Sequence, residues 1–302
     1  MSTLITRIRP SLARGTVPSY RTTLVSRLPA SWHAYSTAPN PDAEATLNKK
    51  DDGIALLTLN RPKAKNALSM QLLADMRSAI DEIRFDGKTR TLILNSSSSG
   101  IFCAGADLKQ RKSMTQTQIA RFLHDLRCML SELSSLPCPV IAALDGAALG
   151  GGLELALAAD LRVASHQATK IGLPETRLAI IPGAGGTQRL SRLIGLSNAK
   201  KLIFTARALN AQQALDMGIV NYLANEGQTA TEKAEEVAKE ILKAGPLAIR
   251  AAKLAIDVGS GLDLEAGLDF EATAYKTILT STDRVEGLKA FAEKRVPVYK
   301  GE

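Results

Sequence analysis

The chain has 302 residues, a formal net charge of +8 and only three cysteines, Cys103, Cys128 and Cys138. An odd cysteine count without a CxxC pattern argues against a disulfide framework and fits a reducing compartment. No uninterrupted apolar segment reaches about 18 residues, so no membrane-spanning helix and no membrane partner is expected.

In chain order, the first stretch reads differently from the rest. Arg7, Arg9, Arg14, Arg21 and Arg27 fall among many Ser and Thr, and no acidic residue precedes Asp42. That is the composition of a mitochondrial transit peptide, with a disordered basic tail as the alternative. Residues 1–35 are read as the presequence, which directs the mature domain to the mitochondrial matrix. Without its five arginines the formal charge falls to +3. The basic balance is then an address more than a nucleic-acid footprint.

Ile54–Leu59 reads as a strand closed by the turn Asn60-Arg61-Pro62. Ser69 predicts an N-cap for a helix through about Arg84, with Leu72, Leu73, Met76, Ala79, Ile80 and Ile83 on one face. Thr91–Leu94 is the next strand, followed by a serine-rich loop. Residues 116–134 predict an amphipathic helix, Val140–Leu144 a buried strand, Gly152 to Ala159 a central helix, and Leu161–Ala164 a strand. Beyond Thr187 the pattern is mainly helical, over 187–194, 197–204, 211–217, 231–243, 246–258, 262–280 and 283–294. Strands mixed with helices early, then helices alone, predict an α/β domain with a helical C-terminal appendage.

Two glutamates carry the chemistry. Glu154 follows the triple glycine Gly150-Gly151-Gly152 inside a nearly pure apolar run, and Glu175 lies between Pro174 and a second glycine-rich turn. Carboxylates are seldom buried unless paired or used, although a helix dipole alone also favours an acid in a first turn. Two neighbouring carboxylates split their titration, one ionised as base and one protonated as acid. Glycines in a helix are costly, so the triple glycine calls for either close ligand approach or tight packing. The small-residue turn of Phe102-Cys103-Ala104-Gly105-Ala106-Asp107-Leu108 presents backbone amides, with Asp107 as a helix cap. Amides of Ala106 and Gly151 could share one oxyanion. The turn Gly183-Ala184-Gly185-Gly186-Thr187 lacks a P-loop ending and is read as structural support for the Glu175 loop. His124 and His166 are read as surface residues without metal-ligand neighbours, and the cysteines as small core hydrophobes.

The pieces NRPKAKNALS (60–69), FCAGADLK (102–109), DGAALGGGLELALAADLRVA (145–164) and GLPETRLAIIPGAGGTQRL (172–190) resemble the crotonase, or enoyl-CoA hydratase, superfamily. The resemblance spans about residues 50 to 302. It implies a spiral of ββα units over residues 36–245 and a helical trimerisation region over 246–302, with assembly as a trimer or as a hexamer of two trimers. It places the catalytic roles on Glu154 and Glu175 and the oxyanion hole on Ala106 and Gly151. Contacts to coenzyme A fall on Ala64, Lys65, Ala104, Ala106, Asp107, Leu108 and Lys109, with Phe291 and Lys294 reaching a neighbouring subunit's ligand. The implied reaction is syn hydration of a 2-enoyl-CoA thioester. No metal or redox cofactor is implied, and coenzyme A enters only as part of the substrate. Some members of the superfamily bind AU-rich RNA through a lysine-rich helix. Residues 63–90 here carry six cations against four acids and no matching lysine row, a weak footprint that leaves RNA as an alternative partner.

Overall fold

The computed structural model describes residues 42–302; the presequence expected over 1–35 lies outside the described residues. The chain enters through an antiparallel pair, β1 (Ala45–Lys49) and β2 (Ile54–Leu59). Helix α1 (Met70–Phe85) follows, capped as expected by the Ser69 hydroxyl, which accepts from the Leu72 amide at 3.0 Å. Each later turn of the chain then places one strand in each of two sheets. These are β3 (Thr91–Ser96) then β4 (Gly100–Cys103), β5 (Val140–Leu144) then β6 (Gly146–Leu149), and β7 (Leu161–Ala164) then β8 (Ile171–Gly172). With β9 (Tyr222–Leu223) the larger sheet runs β1-β2-β3-β5-β7-β9, and the smaller runs β4-β6-β8. Every pair after the first is parallel.

Helices α2 (Leu108–Lys112) and α3 (Gln116–Ser134) lie between β4 and β5, and α4 (Gly151–Ala156) between β6 and β7. The later helices are α5 (Gly186–Ile194), α6 (Leu196–Thr205), α7 (Ala211–Asp216), α8 (Ala230–Ile241), α9 (Pro246–Gly259), α10 (Leu264–Lys276) and α11 (Thr282–Glu293). The spiral of strand–strand–helix turns with a helical end is the α/β architecture the sequence implies.

Strand alternation builds the core on both faces of the larger sheet. Ala55, Leu57, Leu59, Leu92, Leu94, Ala142 and Leu144 join the buried faces of α1 and α3. Their alternates Ile54, Ile93, Ile141, Ala143 and Val163 meet Ala230, Ala234, Val237 and Ala238 of α8.

Several elements depart from the sequence expectations. The strands β1, β4, β6, β8 and β9 were not legible, because two to five residues carry too little alternation. The central helix stops at Ala156 rather than running to Ala159. Buried Arg162 terminates it by donating to the carbonyls of Ala159 (2.8 Å), Ala156 (3.5 Å) and Ile219 (2.7 Å), a cation at the negative end of the helix dipole. Cys103 and Cys138 are core residues, and burial pushes the Cys103 thiol up to about 12. Cys128 is half-exposed, its sulfur 3.5 Å from His124 Nε2 one turn back on α3, so it is not the core hydrophobe expected.

The C-terminus folds back on α11. Asp283 accepts from the amides of Lys300 (2.7 Å) and Gly301 (2.9 Å), and its own amide donates to the Glu302 carbonyl. Arg295 forks onto Glu286 at 2.6 and 2.8 Å, holding that carboxyl down at about 2. Large apolar side chains of this region stand in solvent, including Ile256, Leu264, Val285, Phe291 and Val296.

Candidate active site

The site lies where β4, β6 and the 3-10 turn Glu175–Leu178 meet the start of α4. A parallel bridge joins Leu68 to Ala106: the Leu68 amide donates to Gly105 O at 2.8 Å, and the Asp107 amide donates to Leu68 O at 3.3 Å. Among the described residues the Ala106 amide between them has no backbone acceptor. At the other side, the Gly150 amide donates to Gly172 O, and that of Gly151, first residue of α4, has no backbone acceptor among the described residues either. A Cβ on Gly105 would stand 3.2 Å from Gly151 N, and one on Gly151 would stand 3.6 Å from Ala106 N. Two unused amides therefore converge, one of them at a helix N-terminus, which suits a developing negative charge.

The three consecutive glycines have different reasons. Gly150 holds φ +54° and ψ −125°, and a Cβ there would meet Glu175 Oε1 at 2.9 Å. Gly152 is required by packing, since a Cβ would stand 2.1 Å from the Cys103 carbonyl oxygen. At both positions the contact is packing within the protein.

Glu154 is 3 % exposed, and its Oε1 accepts from the amides of Ala184 (2.8 Å) and Gly186 (2.7 Å). The turn at 183–187, expected to support Glu175, instead grips Glu154. A side chain at Gly186 would press within 3.0 Å of Glu154 Oε1. Burial raises the pKa of Glu154, while the amides of Gly186 and Ala184 and then the charges of Arg189 and Arg111 oppose the rise. Glu175 has less support, its own backbone amide alone opposing the rise. Its Oε2 is buried without a hydrogen-bond partner among the described residues. Burial pushes its pKa up to about 7, the charge of Glu154 adding to the effect. Of the two, Glu154 is the better supported anion and Glu175 the carboxyl that holds a proton more readily.

The residues expected to contact coenzyme A divide into two groups. Ala64, Lys65, Ala104 and Ala106–Lys109 are brought together, with the Ala104 amide donating to Lys65 O at 3.0 Å. Asp107 spends its carboxylate internally. It caps α2 through the Gln110 amide (3.0 Å) and pairs with Arg61 (2.8 Å), and those two contacts hold its pKa below the usual range. Phe291 and Lys294 lie at the end of α11, Phe291 86 % exposed and Lys294 closing the helix in the left-handed conformation. No hydrogen bond or ion pair among the described residues links them to the cluster.

Sequence reasoning missed the residues that hold this cluster. Asn66 is fully buried at φ +53°; its Oδ1 accepts from the Arg61 amide, and its Nδ2 donates to Ser96 Oγ and Phe102 O. Arg61 also pairs with Glu44 at 2.6 Å, and Glu44 accepts from the Ser69 hydroxyl. Arg61, Asn66 and Ser69 all fall within the motif at 60–69, where Lys65 and Asn66 both take positive φ; Ser69 was legible as a helix cap, the network it joins was not.

A ββα spiral that brings two amides near an unequal pair of carboxyls is an arrangement that can stabilise an oxyanion while moving a proton. The chain belongs to the enoyl-CoA hydratase/isomerase family, whose model matches residues 49–302. It is 48 % identical over 288 residues to a mitochondrial methylglutaconyl-CoA hydratase from Mus musculus, covering 91 % of each chain. The Homo sapiens protein of that name is 47 % identical, with 91 % of this chain and 82 % of the relative covered. Among solved structures, an enoyl-CoA hydratase from Bacillus anthracis superposes with a TM-score of 0.83 at 44 % identity, covering 86 % of this chain and 100 % of the other.

Proposed function

We propose that this protein is a mitochondrial hydro-lyase that adds water syn across the double bond of 3-methylglutaconyl-CoA, giving 3-hydroxy-3-methylglutaryl-CoA in leucine breakdown. The observation that carries the hydratase reading is the unequal pair, Glu154 held by two amides and Glu175 left with a bare buried oxygen. The substrate follows from the methylglutaconyl-CoA hydratases that share nearly half of this sequence. The thioester oxygen gathers negative charge as an enolate, held by the Ala106 and Gly151 amides. Glu154 takes a proton from the attacking water, and Glu175 gives its proton to the α-carbon. No metal or redox cofactor enters the proposed reaction; coenzyme A is the handle of the substrate.

The test compares kcat/KM of residues 36–302 for hydration of 3-methylglutaconyl-CoA and crotonyl-CoA. A preference for the carboxylated substrate is expected. A preference for crotonyl-CoA would make the chain a broad short-chain hydratase, and turnover of neither by folded protein would remove the hydratase reading.

The mature chain is proposed to start near residue 36 and to assemble through the region 246–302, whose apolar side chains stand in solvent on a single chain. Light scattering is expected to read a trimer or hexamer; the mass of one chain would refute the assembly. RNA gains no support from α1. Arg77 is paired with Glu132, and Arg84 bonds to the carbonyls of Glu132 and Ser135.

A further inference from the structure

A methylglutaconyl group ends in a carboxylate. Brought to a site that already holds Glu154 and Glu175, it makes a third acidic group, which a partly desolvated pocket repels unless a cation receives it. Sequence proximity nominates Lys109 and Arg177. Both are exposed, and neither is among the charges that act on Glu154. Other cations of the site are committed. Arg61 is paired with Glu44 and Asp107, and Arg189 donates to Ala184 O at 3.2 Å within the turn that grips Glu154.

Arg111 is placed differently. It lies on α2, the helix that starts just after the Ala106 amide, and its own amide donates to Asp107 O at 2.8 Å. That bond sets Arg111 one helical turn, about 5.4 Å, beyond the cap. Helical side chains lean toward the N-terminus of their helix, so its stem runs back toward the Ala106 amide. The side chain is half-buried, has no hydrogen-bond or ion-pair partner among the described residues, and is one of the two cations whose charge acts on Glu154. Leu123 of α3, the helix that follows α2, comes within 3.4 Å of where a Cβ on Gly183 would stand, so α3 reaches the glycine turn that holds Glu154.

We propose that Arg111 is the specificity-determining residue of this site, its guanidinium receiving the distal carboxylate of the acyl group as a bidentate ion pair. The guanidinium fork suits a carboxylate in both shape and charge.

This inference rests on the hydratase reading and is tested by a ratio. In Arg111→Met, kcat/KM for 3-methylglutaconyl-CoA relative to crotonyl-CoA is expected to fall on the order of 10²-fold or more, the usual cost of leaving a desolvated charge unpaired. Arg111→Lys, which keeps the charge without the fork, should fall in between. Arg177→Met should leave the ratio in place. Glutaryl-CoA and butyryl-CoA, which bind without reacting, give the same reading on affinity, with only glutaryl-CoA weakened in Arg111→Met. An unchanged ratio, or an equal loss for both substrates, overturns the assignment; an equal loss would mean that Arg111 acts on Glu154 or on the fold. Should the wild-type protein hydrate neither substrate, the hydratase reading fails, and the affinity pair still decides whether Arg111 selects a carboxylate.

Discussion

Glu154→Gln and Glu175→Gln are each expected to lower kcat for hydration by on the order of 10³-fold while moving KM only a few-fold, the pattern of groups acting in the transition state rather than in binding. The substitutions keep shape. A glutamine at 154 still offers one oxygen to the amides of Ala184 and Gly186, so the turn stays closed, but it cannot take a proton from water. A glutamine at 175 occupies the same buried volume and cannot give a proton to carbon. The pH dependence carries its own sign. Activity needs one proton on the pair, residing on Glu175, whose pKa burial raises to about 7. Above that pH the proton is lost, so kcat/KM should fall tenfold per unit. Hydration and dehydration should fall together, because the pair holds one proton on either side of the reaction. A basic limb unchanged in Glu175→Gln would assign that titration to another group and sink the acid role of Glu175.

Gly150→Ala is expected to cost on the order of 10²-fold in kcat with the fold retained, the loss typical of disturbing an oxyanion donor. Two effects combine at this residue. Its φ of +54° is left-handed, which costs a residue with a Cβ about 1–2 kcal/mol. The added methyl would also stand 2.9 Å from Glu175 Oε1, so the proton donor must move. Relief by backbone rotation would turn the next amide, that of Gly151, away from its convergence with Ala106. The measurement is kcat with circular dichroism as the control for folding. Wild-type kcat in a folded Gly150→Ala protein would show that neither group is held by this glycine.

Much of this was legible from local pattern. Short apolar runs bounded by turn residues marked Ile54–Leu59 and Val140–Leu144, the spacing of apolar residues marked α1 and α3, and the serine at 69 marked a helix start. Glu154 and Glu175 stood out because an acid amid apolar residues or beside glycines needs a reason. The short strands were hidden, since a two-residue element such as β8 exists only through its partner β6.

The amino-acid order by itself nominated the groups proposed to do the chemistry: two glutamates, and two amides bared by glycine and alanine. Tertiary structure decided how those groups differ. Nothing near Glu154 in the chain says that two amides, 30 and 32 residues later, hold its charge, or that Glu175 is left with an unpartnered oxygen. Nor does the motif at 60–69 show that Asn66 binds residues of β3 and β4, 30 and 36 positions away. The physical reason is common to all three. Residue type is local, whereas burial, hydrogen-bond partners and opposing charge belong to segments that meet only when the spiral closes, and those determine which carboxyl holds the proton.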